Sequence, residues 1–497
     1  MRKNKRIFAL FLTVFIIFFT FGCKNNDDKN TDKNLIEETN KTLKIHCYAH
    51  DTLNPLLNSN ETNMQFLRLM FESLIVCDET QKAQPVLAEN YSVSADGLTW
   101  TVNIKDNVKW HDGTELTAYD VEKTYTDVLE YMDKSPYFAV LSHLEEVNAT
   151  SDKTVNFKLI SPQANFINLL EVPVVKYHSG EKFLPTGTGP YVYNDSKNKV
   201  IYLSANEKWH NGKTDIKAVE VKILPDKETS VYSYVSKEID IVSITSTKEW
   251  NGYSSNSDNV IVDYPSNVFT YICINPSSEP LSNGLFRRCI SYAIDKEKIN
   301  SEVLLSHGSV ANSCVNSKWW FYKPDVTSYS FNRSKATDTV KTLKNNMKIV
   351  PVSLMVNEDN ADKCKVAEMI KENLSDCGIT LYIEYVSWGV FNERVATGNY
   401  QMYLGSVKYS SDVNPQHVIP NPDTKLQNLF NELQMQTTEE GIKQKYYEIQ
   451  EKIAMDVQII PLYFDMSSVM YNKRIEGEHK PYRANIFNGI EKMILSK

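Results

Sequence analysis

The chain has 497 residues, which is too long for one compact core, because single domains usually contain about 100 to 200 residues. Hydrophobic residues make up 42% of it and charged residues 23%, which are the proportions of a folded globular protein and exclude a disordered or fibrous one. The 62 Asp and Glu outnumber the 54 Lys and Arg, and this acidic balance argues against a nucleic-acid partner, whose phosphates require a basic surface.

The first 22 residues have the order of a secretory signal. A basic start, with four Lys and Arg in residues 2–6, precedes an apolar stretch from Ile7 to Phe21. This stretch is shorter than the roughly 18 to 20 residues that a membrane-spanning helix needs. We therefore predict that residues 1–22 are a signal peptide that is removed on export. The mature chain is then still more acidic.

The residues after this signal predict a lipid anchor and a tether. Gly22 and Cys23 resemble the end of a bacterial lipoprotein signal, so Cys23 is the predicted lipidation site, and the alternative is an ordinary cleaved signal in which Cys23 has no role. Residues 24–34 contain no apolar side chain, so this segment cannot bury enough surface to fold. We predict a flexible tether over residues 23–42, which would hold the folded part at the outer face of the bacterial cytoplasmic membrane.

The first half of the body predicts antiparallel hairpins with docked helices. Residues 98–104 alternate between apolar and polar side chains like a half-buried strand, and Asp112-Gly113 is a turn signal. Thr117 and Asp120 have the spacing of a capping box, so a helix should begin at Ala118 and turn Val121, Tyr125 and Val128 inward. A second turn signal, Asn211-Gly212, precedes an alternating stretch over residues 218–223.

The second half predicts alternating strands and helices. Residues 349–356 are strand-like, Asn360 is placed to cap a helix from Ala361, Gly378 ends that helix, and residues 379–386 are a second strand. A strand, helix and strand in this order favour a parallel pair. Further on, a helix over residues 439–456 leads into a strand over residues 459–464.

Cysteine and histidine give no sign of catalysis or metal binding. The seven cysteines after Cys23 are widely spaced without a CxxC pair, so we expect most of them to be buried thiols, and one disulfide stays possible. His111 and His210 occur in similar Trp-His-(Asp/Asn)-Gly segments, which turn geometry explains better than chemistry. We therefore predict no catalytic residue, no metal site and no cofactor, and hence no enzyme.

Several segments resemble the signature of the extracellular solute-binding proteins that serve oligopeptide, dipeptide and nickel ABC importers. The resemblance extends from about residue 43 to the end. Its strongest parts are residues 85–101, 108–113 and 116–121, and residues 52–56, 71–74, 187–191 and 286–296 agree in order and spacing.

This resemblance implies an α/β, two-lobed fold like that of periplasmic binding proteins, with mixed sheets and lobes joined by paired crossing strands. One lobe would comprise residues 43–268 plus 466–497 and the other residues 269–465, closing on the solute like a hinge. It also implies the partners: a peptide or other small solute, and the permease and ATPase of an ABC importer. The receptor itself is expected to be a monomer.

The resemblance also suggests ligand-binding residues. Peptide-binding members hold the amino terminus of the peptide with an Asp, and Ser411 occupies that position here. Asp412 could replace it if the loop is shifted by one residue. By their places in the family's cleft, the further candidates are Trp388, Arg394, Tyr409 and Asn275, and the alternative for each is a role in packing or at the solvated surface.

The predicted function is capture of oligopeptides or dipeptides for import. Because position 411 lacks the carboxylate, a non-peptide solute such as a nickel chelate, a sugar derivative or a cell-wall fragment is an alternative. A surface signalling or adhesion protein on the same fold is a third possibility.

Overall fold

The computed structural model describes residues 41–177, 183–244, 258–346, 348–477, 479–483 and 485–496. The predicted signal peptide, Cys23 and all of the tether before residue 41 lie outside these ranges. Among the described helices, none combines the length and the apolar character that a membrane span requires.

The described residues form a mixed α/β structure. The strands are β1 (Thr42–Tyr48), β2 (Ile75–Cys77), β3 (Ala83–Pro85), β4 (Ala88–Val93), β5 (Thr99–Ile104), β6 (Leu144–Ser151), β7 (Thr154–Leu159), β8 (Tyr191–Lys197), β9 (Val200–Ala205), β10 (Ala218–Leu224), β11 (Ile241–Ile244), β12 (Asn259–Ile274), β13 (Gly308–Val310), β14 (Val352–Asn357), β15 (Leu381–Val386), β16 (Met402–Lys408), β17 (Ile459–Asn472), β18 (Ile475–Gly477) and β19 (Met493–Leu495). The α-helices are α1 (Glu61–Leu67), α2 (Ala118–Tyr131), α3 (Lys227–Val235), α4 (Gly284–Ala293), α5 (Lys296–Glu302), α6 (Arg333–Asn346), α7 (Ala361–Asp376), α8 (Trp388–Thr397), α9 (Thr424–Gln434) and α10 (Glu439–Asp456).

Two four-stranded sheets belong to the first lobe. One has the order β1-β10-β9-β8, with β1 parallel to β10 and the other pairs antiparallel, and the second has the antiparallel order β4-β5-β7-β6. Strand β5 confirms the predicted alternation, since Trp100, Val102 and Ile104 are buried and the residues between them are half-buried. A hydrophobic core, called core A here, holds this lobe together, with residues from Leu43 to Ile241 and from Val469 to Met493.

Helix α2 begins as the capping box predicts. The carboxylate of Asp120 accepts hydrogen bonds from the backbone N–H of Thr117 (3.0 Å) and from its hydroxyl (2.9 Å). Val121, Tyr125 and Val128 are fully buried, so the helix docks on core A through the predicted face.

The loop at residues 187–189 lies against the backbone of Met70. The N–H of Gly189 donates to the carbonyl of Met70 (2.9 Å), and a Cβ added at Gly187 would lie 1.8 Å from the same oxygen, so only glycine fits there. His111 fixes the loop from the other side: its Nδ1 accepts from the N–H of Gly187 (3.1 Å), and its Nε2 lies 3.1 Å from the carbonyl of Gly189. Burial lowers the pKa of His111, which favours the neutral ring that these bonds need.

The predicted turns occur where the glycines lie. Gly113 and Gly212 have φ angles of +88° and +115°, which side chains with a Cβ rarely adopt. Trp110 is buried behind the first turn. The second turn also has a polar anchor that the sequence did not indicate, because the indole of Trp209 and the ring of His210 both bond to the carboxylate of Glu72, at 3.1 and 2.9 Å.

A seven-stranded mixed sheet has the order β11-β17-β12-β16-β14-β15, with β13 paired to β17. Strands β12 and β17 run antiparallel over almost their whole length, with register shifts between Pro265 and Phe269 and between Thr270 and Tyr271. One end of each strand contributes to core A, and the other end contributes to two further hydrophobic cores. Core B contains residues from Ile272 to Tyr463, and core C contains residues from Phe269 to Phe464 together with Ala164. These are the paired crossing strands of a two-lobed fold.

The predicted strand, helix and strand unit is confirmed. Strands β14 and β15 pair in parallel, and the side chain of Asn360 accepts from the N–H of Lys363 at the start of α7. Gly378, with a φ of +79°, follows the end of that helix. Ala367, Ile370 and Leu374 are fully buried in core B.

The cysteines behave as small buried residues. All seven that the structure describes are free thiols; Cys364 is half-buried and the other six are buried. The disulfide that the sequence left possible does not form among them.

Candidate functional site

A cavity of about 550 Å³ lies where the two lobes meet the crossing strands. On one side its walls come from α1, the end of β11 and the C-terminal segment. The middle of β12 and β17 forms another wall, and the segment between α5 and β13, the start of α7 and the end of β16 form the rest. Volumes of about 300 to 1,000 Å³ are typical of small-ligand sites, and such sites often lie between domains. The cavity is therefore the candidate solute site.

Polar side chains from both lobes face this space. Thr270 on β12 and Ser406 on β16 share a hydrogen bond of 2.7 Å between their hydroxyl oxygens. At the first-lobe wall, Gln65 donates to the carbonyl of Arg483 (3.0 Å) and accepts from the N–H of Ile486 (2.9 Å), which ties α1 to the C-terminal segment. A cavity with such walls suits a solute that makes hydrogen bonds.

Most charged side chains of the cavity already have a partner. Lys408 pairs with Glu61 (3.4 Å), Arg483 with Glu171 (2.7 Å) and His307 with Asp263 (2.8 Å), and Asp362 accepts from Lys365 (3.0 Å). The two remaining charged residues of the cavity are Asp465 and Lys363.

Asp465 and Lys363 face the cavity without a hydrogen bond or an ion pair of their side chains to any described residue. Burial raises the pKa of Asp465 to about 6; Lys363 opposes this shift and Asp362 adds to it. Burial likewise lowers the pKa of Lys363, and the negative charge of Asp465 opposes that shift. The two side chains attract each other but do not touch.

Ser411 lies in a buried polar cluster beside the cavity. Its hydroxyl donates to Glu171 (2.5 Å) and lies 2.7 Å from a guanidinium nitrogen of Arg483, which itself lines the cavity. Glu171 also accepts from the N–H of Cys77 (2.9 Å). Burial alone would raise the pKa of Glu171, but Arg483, Arg68 and these hydrogen bonds bring it below its ordinary value, so the carboxylate is ionised.

Asp412 joins the two lobes rather than facing the cavity. Its carboxylate accepts from Gln163 (2.9 Å) and from the hydroxyl of Ser410, and its carbonyl accepts from Asn165 (3.1 Å). Asn168 donates in the same way to the carbonyl of Ser411 (3.1 Å). The loop at residues 163–171 of the first lobe is thus hydrogen-bonded to the loop that carries the family's ligand position.

The other predicted ligand residues lie apart from the cavity. Tyr409 is buried and donates to the carbonyl of Cys314 (2.9 Å), and the amide of Asn275 donates to the carbonyl of Tyr400 (3.1 Å). Arg394 is paired with Glu384 (2.6 Å). Trp388 is 55% exposed and stacks on Phe391, with 5.6 Å between the ring centres. In this conformation two of the predicted residues are linked to residues that line the cavity, Ser411 through Arg483 and Tyr409 through its backbone hydrogen bonds with Asn267, and the assignments stay predictions.

Asp465, Lys363 and Arg483 were not among the predicted site residues. The predicted strand over residues 459–464 ended one residue before Asp465, whereas β17 continues to Asn472. One signal was available, because an Asp directly after a run of buried apolar residues in a strand is unusual. Nothing local in the sequence distinguishes Lys363 or Arg483 from a surface residue.

The fold and the site agree with the comparisons to known proteins. The family model described as bacterial extracellular solute-binding proteins, family 5, middle region, matches residues 82–426, which is more than half of the chain. The chain belongs to this family. Family 5 proteins are solute-binding proteins and not enzymes.

Curated relatives and solved structures extend this similarity over most of the chain. The oligopeptide-binding protein AppA of Bacillus subtilis is 24% identical, with 100% of both chains covered. The heme-binding protein A of Haemophilus influenzae is 22% identical, covering 82% of this chain and 84% of that protein. The crystal structure of the ABC transporter substrate-binding protein CtaP of Listeria monocytogenes has a TM-score of 0.75 at 22% identity, covering 92% of this family 5 chain and 99% of CtaP.

Proposed function

We propose that this family 5 protein captures a small solute in the cavity between its lobes and delivers it to an ABC permease with its ATPase. The observation that carries the proposal is the 550 Å³ cavity, whose walls come from both lobes and from the strands that join them. A solute there touches both lobes at once only when they are closed, so binding shifts the population toward a closed form that a transporter can recognise.

The lobes comprise residues 43–268 with 466–497, and residues 269–465. The separation of core A from cores B and C on the two sides of β12 and β17 supports this division. The register shifts at residues 265–271 support a hinge at this point, because interrupted pairing lets two strands bend more easily.

The receptor acts as a monomer at the outer face of the cytoplasmic membrane, attached by a lipid on Cys23 through the tether. This is supported by the order of the first residues: a basic start, an apolar stretch up to Phe21, the pair Gly22-Cys23 and then a segment without apolar side chains. Replacing Cys23 with Ala should release the protein into the culture medium and abolish its labelling by radioactive fatty acid. Retention of the variant on the cells would contradict the anchor.

Peptides are the first candidate solutes, because a full-length relative is named as an oligopeptide-binding protein. The second candidate is a solute that places no free amino terminus beside Ser411. The specific observation in its favour is that the guanidinium of Arg483 lies against the Ser411 hydroxyl, where a peptide ammonium would be held in family members with Asp at this position. A heme-binding relative is consistent with solutes other than peptides.

Mass spectrometry of the solute that stays bound when the protein is purified from its own host tests the proposal most directly. We expect one class of small molecule at close to one per protein, released on unfolding. Thermal unfolding with and without peptides, heme and a nickel–histidine complex then ranks the classes, because a bound solute raises the Tm. If no solute co-purifies and none shifts the Tm, the transport proposal is wrong and a signalling or adhesion role takes its place.

A further inference from the structure

We infer that Asp465, on the crossing strand β17, is the residue that binds the positively charged ammonium group of the solute. This inference rests on the proposed function. Family resemblance predicts that position 411 binds the amino terminus of a peptide, and we assign this binding to Asp465 instead.

Position 411 is closed to such a group. The Ser411 hydroxyl is already bonded to Glu171 and lies against the guanidinium of Arg483, which provides the positive charge that Glu171 requires. An incoming ammonium would meet a like charge there, and like charges in a buried site repel strongly. The cavity must therefore bind a cationic solute through another carboxylate.

Asp465 is the cavity carboxylate that remains available. Glu61 is paired with Lys408, and Asp362 accepts from Lys365, whereas the Asp465 carboxylate has no hydrogen bond or ion pair among the described residues. A largely buried carboxylate without a partner destabilises the protein that contains it. Such a residue in a cleft is therefore a candidate for a functional role.

The backbone of Asp465 is held in place while its side chain stays free. Its carbonyl accepts from the hydroxyl of Ser266 (2.8 Å), and the next residue, Met466, donates its N–H to the carbonyl of His307 (3.1 Å). Because the backbone is already fixed, only the side-chain torsions of Asp465 lose freedom when it pairs with a solute, which favours tight binding.

The charges around Asp465 also favour a cation. Asp362 and Lys363 at the start of α7 and Tyr463 on β17 itself are the titratable groups that interact with it. At neutral pH Lys365 neutralises Asp362, and Lys363 does not come close enough to Asp465 to form an ion pair, so no described residue neutralises the Asp465 carboxylate by contact. The pKa of about 6 further implies that the carboxylate gains from an added positive charge.

The test compares one pool of solutes in two chemical forms. A mixture of dipeptides, tripeptides and polyamines is divided, and one half is exhaustively acetylated so that its primary amines no longer carry charge. The purified protein is titrated with each half at pH 7.5 by thermal shift and calorimetry. We expect the untreated pool to bind, and the acetylated pool to bind at least tenfold more weakly.

Two variants connect that result to the residue. Asp465→Asn should lose at least tenfold in affinity for the untreated pool and should have a higher Tm without solute, because it removes an unpaired buried charge. The gain in Tm shows that the variant is folded. Asp106→Asn, which removes the same charge from an 82% exposed side chain, should bind like the wild type.

The pH dependence gives an independent measurement. With a pKa of about 6, only about a tenth of Asp465 is ionised at pH 5, so wild-type affinity should fall about tenfold between pH 7.5 and pH 5. The residual affinity of Asp465→Asn should change much less over this range. A residue that only supports the fold would not produce this difference.

The results also separate this inference from the function on which it rests. Equal binding of the two pools, or wild-type affinity of Asp465→Asn, would overturn the inference. So would a response confined to solutes without amines, such as heme, which would leave the proposed function intact. Binding of no solute of any class would overturn both.

Discussion

Replacing Arg483 with Met should strongly destabilise the protein, because it leaves the charge of Glu171 buried without its main partner. The Glu171 side chain is only 9% exposed and lies 2.7 Å from the Arg483 guanidinium. Removing one partner of a buried ion pair costs about 3 to 5 kcal/mol. Two hydrogen bonds to Glu171 and the nearby charge of Arg68 persist in the variant, so we expect a loss near the lower end, about 3 kcal/mol.

The loss should appear as a decrease in the free energy of unfolding, measured by urea titration with circular dichroism at pH 7. Adding Glu171→Gln to Arg483→Met should recover about 2 kcal/mol, since an amide is less costly to bury than an unpaired carboxylate. Wild-type Glu171 has a lowered pKa, so its stabilisation is present above the ordinary pKa and is lost as the pH falls. The gap between the wild type and Arg483→Met should therefore narrow toward pH 4.

The matched control is Arg333→Met, which removes the guanidinium from an exposed pair with Asp376. Exposed pairs contribute about 0 to 1 kcal/mol, so this variant should unfold almost like the wild type. An Arg483→Met loss below about 1 kcal/mol, or a double variant no more stable than the single one, would refute the view of Glu171 as a buried charge that depends on Arg483.

Three further predictions concern the stability of the lobes. Gly187→Ala should lower the Tm by several degrees because the new Cβ overlaps the Met70 carbonyl. Gly389→Ala, whose Cβ would meet no atom within 4 Å, should not lower it, and equal Tm values for the two variants would contradict the close approach. Leu374→Ala should lower the free energy of unfolding, measured in urea, by about 2 to 5 kcal/mol, since the side chain is fully buried. A decrease below about 1 kcal/mol would mean that core B closes the space left by the missing side chain. Burial lowers the pKa of His46 to about 4, so acid protonates this histidine first in the unfolded chain, and stability should fall by about 3 kcal/mol between pH 7 and pH 4. In His46→Gln the stability should decrease less over this pH range, because the buried histidine is absent. An identical dependence of stability on pH in the two proteins would exclude a contribution from His46.

The sequence predicts local elements well because their signals lie within a few residues. The caps at Thr117 and Asn360, the stop at Gly378 and the buried faces of α2 and α7 depend on neighbours in the same helix, and all are confirmed. Gly187 was found through family resemblance, but the reason for it, the Met70 carbonyl, lies far away in the sequence.

The site was harder to predict because its parts come from distant segments. Glu171, Ser411 and Arg483 meet only after both lobes and the C-terminal segment have packed together. The sequence marks Asp465 only as an Asp that follows a run of apolar strand residues, and its lack of a partner is a property of the folded cavity. A sequence pattern records which residues can form a strand, but it does not record which charges the fold leaves unpaired.

The buried thiols give the protein internal probes of local unfolding. Cys47 and Cys77 lie in core A, Cys289 and Cys377 in core B, and Cys273 and Cys314 in core C. A thiol reagent can reach each of them only when its own core opens, so the alkylation rate at each position, read by peptide mapping, reports the opening free energy of that region. The two halves of the receptor can thus be followed separately in the unlabelled wild-type chain, both at rest and while a solute is bound.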